Sequence, residues 1–481
     1  MLTDDKLKAY LPNVYCNTEM TTAQQNWLEW YKGYTKLHTY TTNDGIRVRS
    51  RKLPTLKMAC RVSEDWVSTL LSEDWQIDVV SSKGVKIQKA TSAFIQGSNG
   101  EKGVLGSSNF KTLLNDTLER TFALGSGAIC ITLDNLGIDE YGFPVKTDNT
   151  KINFNAYNCF EIKPISWNNG RITECAFTSE RIQGKNKYDI LTTYTIDSDK
   201  TYVINNRVFK DEKEVQAEEI GLISVIRTNS TLPWFFIFKT AKANSIDFNS
   251  PLGESVYSDA LDILYMCDLT YACLKQEIIT GRRLVMFNKS LLTTDEQGKP
   301  IVPDDAMQSY FQFFSDEMSA DVKDFIKEFH PDLNTDKLNE ELQLNLNLLS
   351  SKCGLGKNTY QLKEGTEITA TEARLDNKSA SKNIKRQSIM LQQTLQQLVQ
   401  TIIYIGVNIF EMGLDSDAKV SVTLRTTTTD DLEIERQRDL ELVKEKVMSV
   451  NEYRKKWMPE LGELQEESSK LENSSSEVSN S

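Results

Sequence analysis

Leu391, Leu395, Leu398, Ile402, Ile405, Ile409 and Met412 recur by fours and threes without a break, which keeps one apolar seam on a single side of an α-helix. A strand cannot hold such a stripe, because its side chains alternate with period two. The spacing predicts one long helix from Thr369 to Met412, packed along its length against other helices. Gln392, Gln393, Gln396, Gln397 and Gln400 occupy its remaining faces.

The residues before this helix set its context. Tyr257, Leu261, Leu264, Cys267, Tyr271, Leu274 and Ile278 predict an amphipathic helix of about seven turns opening after Asn249-Ser250-Pro251. From Gly281 to Pro331 the period breaks into two strand-like runs, Arg283–Phe287 and Tyr310–Phe314, joined through Gly298, Pro300 and Pro303. This reads as a small α/β insert. Leu338, Leu342, Leu346 and Leu349 restore helical spacing, and Gly354, Gly356 and Gly365 loosen the connection to the long helix. Two long helices carrying an insert at their far end suggest an element built to pack beside copies of itself.

The N-terminal half is mixed. A helix is expected around Trp27, Leu28 and Tyr31, a polar turn at Asn43-Asp44-Gly45, and a helix after Pro54 with Leu56, Cys60, Trp66, Val67 and Leu70 on one face. Gly97–Ser108 reads as a loop, and Asn109 as the N-cap of a helix that buries Phe110, Leu113, Leu114 and Leu118 and stops at Gly125. From Gly127 to Thr228 the pattern is strand-like: Ala128–Leu133 first, then a hairpin at Asn169-Gly170, whose two turn positions favour positive φ. Tyr188, Ile190, Tyr194 and Ile196 alternate, and Asn205-Asn206 is expected to turn the chain before Val208 and Phe209. The region predicts an antiparallel meander with one wet face. Trp234–Phe238 reads as a packed strand. Near the end, Val420–Leu424 is a strand, Asp430 to Lys446 a charged helix, Asn451 to Trp457 a shorter helix, and Glu463–Ser481 a disordered acidic tail.

A chain of 481 residues exceeds the size at which one core keeps growing, so two or more structural units are expected. The net charge of −12 argues against a generally basic, nucleic-acid-coating surface, so any contact with nucleic acid has to be local. Cys16, Cys60, Cys130, Cys159, Cys175, Cys267, Cys273 and Cys353 are scattered without a C-x-x-C pair, and the N-terminus Met-Leu-Thr-Asp-Asp-Lys has no signal-peptide pattern. Reduced thiols in a cytoplasmic setting follow. The apolar run Leu398–Phe410 is too short to span a bilayer.

The search for catalytic chemistry finds no anchor. His38 and His330 read as surface or loop side chains, with no cysteine pair at zinc-ligand spacing. Gly354-Leu355-Gly356-Lys357-Asn358-Thr359 resembles the end of a phosphate-binding loop, but Ser351 stands where that motif's first glycine belongs and a helix precedes it. Asp304-Asp305 and Glu340-Glu341 are acidic pairs that could ligate Mg²⁺, though solvated charge is the simpler reading. No catalytic residue, metal or cofactor is expected.

The ordered series resembles the portal (head–tail connector) proteins of tailed bacteriophages, particularly siphophages of Gram-positive hosts. It is carried by Asn249-Ser250-Pro251-Leu252-Gly253-Glu254-Ser255 before the helix with Asp262 and Asp268, then Lys275-Gln276-Glu277-Ile278 and Gly281-Arg282-Arg283. Asp324-Phe325-Ile326-Lys327 before His330-Pro331, Lys352 through Tyr360, and Thr369-Ala370-Thr371-Glu372 complete it. The resemblance covers about residues 230 to 460.

It implies a portal-type α+β architecture: an N-terminal wing over 1–249, stem helices at 250–280 and 333–350, a clip at 281–332, a tunnel loop at 351–368, a long wing helix at 369–415 and a crown at 416–462. It further implies a ring of about twelve copies around double-stranded DNA at one capsid vertex of the virion, assembled in the host cytoplasm. The partners it implies are the terminase large subunit, a head–tail adaptor, and the major capsid and scaffolding proteins, with no membrane. An acidic ring lets duplex DNA slide, since a channel lined with cations would hold the phosphates tightly. Weak contacts are then expected from Lys352, Lys357 and Lys363 in the loop and from Arg282, Arg283 and Lys289 where stem meets clip. The competing readings are another structural or adaptor protein of the virion and a carboxylate metal-dependent nuclease.

Overall fold

The computed structural model describes residues 4–43, 48–71, 75–98, 100–211, 213–281, 284–288, 310–313, 326–329, 332–357, 359–362, 370–424, 436, 439–440, 443–444 and 449–457. Arg282, Arg283, Lys289, Lys363, His330, Asp304-Asp305, the turn after Asn43, most of 430–446 and the acidic tail lie outside the described residues. The chain divides into two compact units, Met1–Leu424 and Arg425–Ser481.

The first unit opens on helices α1 (Asp4–Tyr10) and α2 (Thr18–Lys32). Asn17 caps α2 by accepting the amides of Glu19 and Met20, and Gly33 closes it at φ +93°. The hairpin β1 (Thr39–Asn43) and β2 (Val48–Lys52) follows, then α3 (Met58–Leu70), β3 (Gln76–Val80) and α4 (Val85–Gln96). The expected loop at Gly97–Ser108 holds two-residue strands β4 (Gly97–Ser98) and β5 (Glu101–Lys102) and one turn of helix, α5 (Val104–Ser107). Helix α6 (Phe110–Leu124) buries Phe110, Leu114 and Leu118 as its spacing predicts. Asn109 precedes it in a left-handed conformation and makes no side-chain cap bond, so the expected Asn cap is corrected.

Two sheets follow. β6 (Ser126–Asp134) precedes short strands β7 (Gly137–Ile138) and β8 (Pro144–Val145), then β9 (Lys151–Asn158). β10 (Ile162–Asn168), β11 (Arg171–Gln183), β12 (Asn186–Ile196), β13 (Tyr202–Lys210) and β14 (Lys213–Val215) form an antiparallel meander, with β15 (Val225–Arg227) also paired to β13. Asn169 and Gly170 turn at φ +49° and +73°, and Asn168 faces Arg171, the expected two-residue hairpin. Asn205 and Asn206 do not turn the chain. They pair with Thr193 and Thr192 inside β13, and Asn206 accepts the Thr192 hydroxyl while donating to the Ile223 carbonyl. Nor is one face of the meander wet throughout: Leu7, Val14 and neighbours of the N-terminal segment cover Ala176, Leu191 and Phe209.

β16 (Phe235–Lys239) joins β6 and β9 in the order β16-β6-β9. After it come α7 (Leu261–Thr280), a small sheet of β17 (Leu284–Asn288), β18 (Tyr310–Phe313) and β19 (Ile326–Phe329), and the returning helix α8 (Thr335–Lys352). β17 is central, parallel to β18 and antiparallel to β19; the third strand was not foreseen. Helix α9 (Ala370–Asn408) then runs for 39 residues, and β20 (Lys419–Thr423) pairs with β3.

The seam of α9 is the main core. Leu391, Leu395, Leu398, Ile402 and Ile405 are buried in one cluster with Phe235 and Phe236 of β16 and Val420 and Val422 of β20. The helix ends at Asn408, so Met412 is exposed beyond it rather than continuing the seam. These leucines and isoleucines pack within the chain, not against another copy, because β16 and β20 already cover them.

In the second unit, α10 (Val450–Trp457) opens with a capping box: Ser449 accepts the Glu452 amide, and the Glu452 carboxylate accepts the Ser449 amide. The Trp457 indole donates to Asp439 at 2.9 Å. The chain mixes helices with largely antiparallel strands, an α+β arrangement. Among the described residues no helix is long and apolar enough to cross a membrane.

Candidate functional site

The stretch 251–362 carries most of the candidate residues, and its geometry starts with a close approach of two glycines. Gly125, at φ +90°, and Gly253 face each other so tightly that a Cβ on Gly253 would lie 2.5 Å from the Gly125 carbonyl. Residues 251–257 are therefore a buried connector under the α6–β6 turn, and the Val256 amide donates to the Phe122 carbonyl. This corrects the expected helix start: α7 begins at Leu261, not after Pro251.

Glu254 locks the connector. Its carboxylate is fully buried and accepts the Ser245 amide and hydroxyl, the Ile246 amide and the Ser258 hydroxyl, with Lys242 at 3.3 Å. Burial alone would raise its pKa, but Ser245, Ser258 and Lys242 outweigh that and hold it below the usual range. Asp415, bonded by Ser81 and Lys83, is also held low. A carboxylate with a depressed folded pKa adds stability that is present above about pH 5 and lost as the pH falls through its folded value. The denaturation midpoint should therefore drop between pH 5 and 3, and Glu254→Gln should shift least over that interval, which chemical denaturation at the two pH values measures.

His38, read from the sequence as a surface or loop side chain, is buried. Its Nε2 donates to Asp268 of α7 at 2.8 Å, and its Nδ1 accepts the Thr35 amide at 3.1 Å. Asp268 also accepts the Thr55 hydroxyl and the Leu56 amide. These bonds tie α7 to the N-terminal hairpin. No spacing in the sequence links His38 to Asp268, 230 residues away.

α8 lies along α7. Asn345 donates to Thr270, the Asn334 amide donates to Glu277, and Gly281 approaches the Leu333 side chain. Leu342, Leu346 and Leu349 face the core, whereas Leu344 and Leu348 on the other side are 53% and 48% exposed. Met266, Ile278 and Ile279 of α7 and Leu333, just before α8, are exposed as well. Leu344 and Leu348 lie one turn apart and open to water on the face of α8 turned away from the core.

The loop after α8 is bound down at its start. Cys353 and Leu355 are buried, the Trp66 indole donates to the Cys353 carbonyl, and the Ser350 hydroxyl donates to the Gly356 carbonyl. The amides of Cys353, Gly354 and Leu355 donate to Leu349, Ser351 and Ser350, so they are not turned toward a phosphate as a nucleotide cradle needs. Gln343 clips the far side by bonding the Tyr360 carbonyl and the Leu362 amide. Lys352 and Lys357 stand exposed on this anchored segment. Whether the structure brings these two together with Lys363, Arg282, Arg283 and Lys289 lies outside the described residues.

Cys60, Glu64 and Glu119 also gather ligand-type atoms. Cys60 donates to Glu64, Tyr31 donates to Glu119, and burial followed by Glu64 pushes the thiol pKa up. The eight cysteines are all free.

A scan against known family models finds no match, and a comparison with curated proteins finds none either.

Proposed function

We propose that the chain is the subunit of a bacteriophage portal: a ring of about twelve copies that conducts double-stranded DNA at one capsid vertex during packaging, retention and ejection. In this reading α7 and α8 are the stem, the β17–β19 sheet is the clip, the segment after Lys352 borders the channel, and α9 spans the wing. The terminase large subunit docks at the clip and supplies the packaging energy. A head–tail adaptor and the capsid and scaffolding proteins are the other partners.

The observation that carries the reading is the helix pair itself. α7 and α8 are fixed to the body by Glu254 and Asp268, bear a separate small sheet at their tip, and leave Met266, Leu344 and Leu348 open to water. A monomer gains nothing from that surface, while a heterologous contact repeated round a closed ring would cover it. Leu344→Gln with Leu348→Gln is expected to leave the unfolding free energy within about 0.5 kcal/mol and to weaken self-association about 100-fold, read by sedimentation across a concentration series. Electron microscopy of the purified chain in negative stain tests the reading as a whole. Rings with a central hole wide enough for duplex DNA support it, and compact single particles defeat it.

A further inference from the structure

The longest acid-free run noted in this acidic chain lies in α9. From Asn377 to Phe410 there is no Asp or Glu, and the only charges are Lys378, Lys382, Lys385 and Arg386. Lys382, Lys385 and Arg386 fall within about one turn on one face, and all three are exposed. Gln387, Ser388 and Leu391 behind them are buried. None of the three has an ion-pair partner among the described residues.

The stripe stands beside the loop. Asn383, between Lys382 and Lys385, lies 3.4 Å from the Gly354 carbonyl, and Lys352 and Lys357 flank that glycine in sequence. Among the described residues, two acids whose charges reach this loop already hold cations: Asp65 with Arg61 at 3.0 Å and Asp259 with Lys242 at 2.6 Å. Exposed cations with no ion-pair partner among the described residues, interleaved with Ser381 and Asn383, match the side chains that contact a phosphate backbone without reading bases.

We propose that Lys382, Lys385 and Arg386 of α9 form a phosphate-contacting stripe for duplex DNA beside the loop lysines. The proposal rests on the portal reading for the identity of the polyanion. An anionic membrane fits less well, because the opposite face of α9 is buried in the core and offers no apolar side for insertion.

The test uses the full-length chain and a fluorescent 30-base-pair duplex of mixed sequence, titrated between 50 and 200 mM NaCl. Each lost phosphate contact lowers the salt slope by about 0.9, so Lys382→Gln/Lys385→Gln/Arg386→Gln should reduce it by nearly three units and weaken binding at least tenfold at 50 mM NaCl. Lys352→Gln/Lys357→Gln should lower it by less. The charge-conserving variant Lys382→Arg/Lys385→Arg/Arg386→Lys should restore the slope. An unchanged slope in the triple Gln variant overturns the proposal, as does a wild-type chain that fails to bind at 50 mM NaCl. If the triple variant loses self-association while its slope holds, the stripe is a contact between copies and the proposal is overturned in favour of that. Particle mass, measured on the same samples, separates the two claims: a wild-type monomer defeats the portal reading, whereas a ring with an unchanged slope defeats only the stripe.

Discussion

Replacing Asp268 with alanine is expected to destabilise the first unit by about 3–5 kcal/mol. The reason is what stays behind. Three donors, His38 Nε2, the Thr55 hydroxyl and the Leu56 amide, all point at this carboxylate, and alanine would leave them without an acceptor in a site only 3% exposed. Asp268→Asn keeps one carbonyl acceptor but presents an NH2 to a remaining donor, so it should recover part of the loss and no more. Urea denaturation followed by tryptophan fluorescence measures both. A change below about 1 kcal/mol for Asp268→Ala would mean that α7 is not anchored through this residue.

Gly253→Ala should be the other severe substitution, at about 2–3 kcal/mol or more. Here the cause is steric. The new Cβ would meet the Gly125 carbonyl at 2.5 Å and the Thr240 hydroxyl oxygen at 2.8 Å, and the first of these is backbone that cannot rotate away. Gly106→Ala is the contrast: it sits in α5, where a Cβ meets only the Lys102 side chain at 3.4 Å and beyond. That change should be neutral or stabilising by up to about 1 kcal/mol. If both alanines behave alike in thermal denaturation, the connector at 251–257 is not the tight junction described. Both severe variants bear on function as well, since each loosens the base of the helix pair proposed to build the ring.

Much of this architecture is legible in the sequence wherever a single periodicity or turn acts locally. The Leu391–Ile405 seam, the return of α8 and the Asn169-Gly170 hairpin are of that kind. What escapes is set by distant partners. The Asn249–Ser255 segment looks like a helix entrance, but the Glu254 network and the Gly125–Gly253 approach hold it as irregular chain. Asn205-Asn206 has turn chemistry, yet Thr192 and the Ile223 carbonyl satisfy Asn206 inside a strand. β3 carries alternating Ile77 and Val79 as a signal, but only its pairing with β20, more than 300 residues later, makes it a strand.

The candidate site divides in the same way. Lys352 and Lys357 are exposed, while the basic stripe of α9 shows its signal only in the absence of acid along its stretch of sequence. The buried His38–Asp268 pair had no local signal at all. The apolar seam of α9, expected to pack along other helices, is core that packs largely on strands β16 and β20. The surface left for assembly lies on α7 and α8, where single exposed leucines in a polar helix gave little warning.

The central claim is a closed ring, and the mass of the purified wild-type chain in solution tests it most directly. Native mass spectrometry or light scattering at micromolar concentration should find a species near 660 kDa, about twelve copies of the 54.8 kDa chain. A single species at the monomer or dimer mass, unchanged across a hundredfold range of concentration, would contradict it.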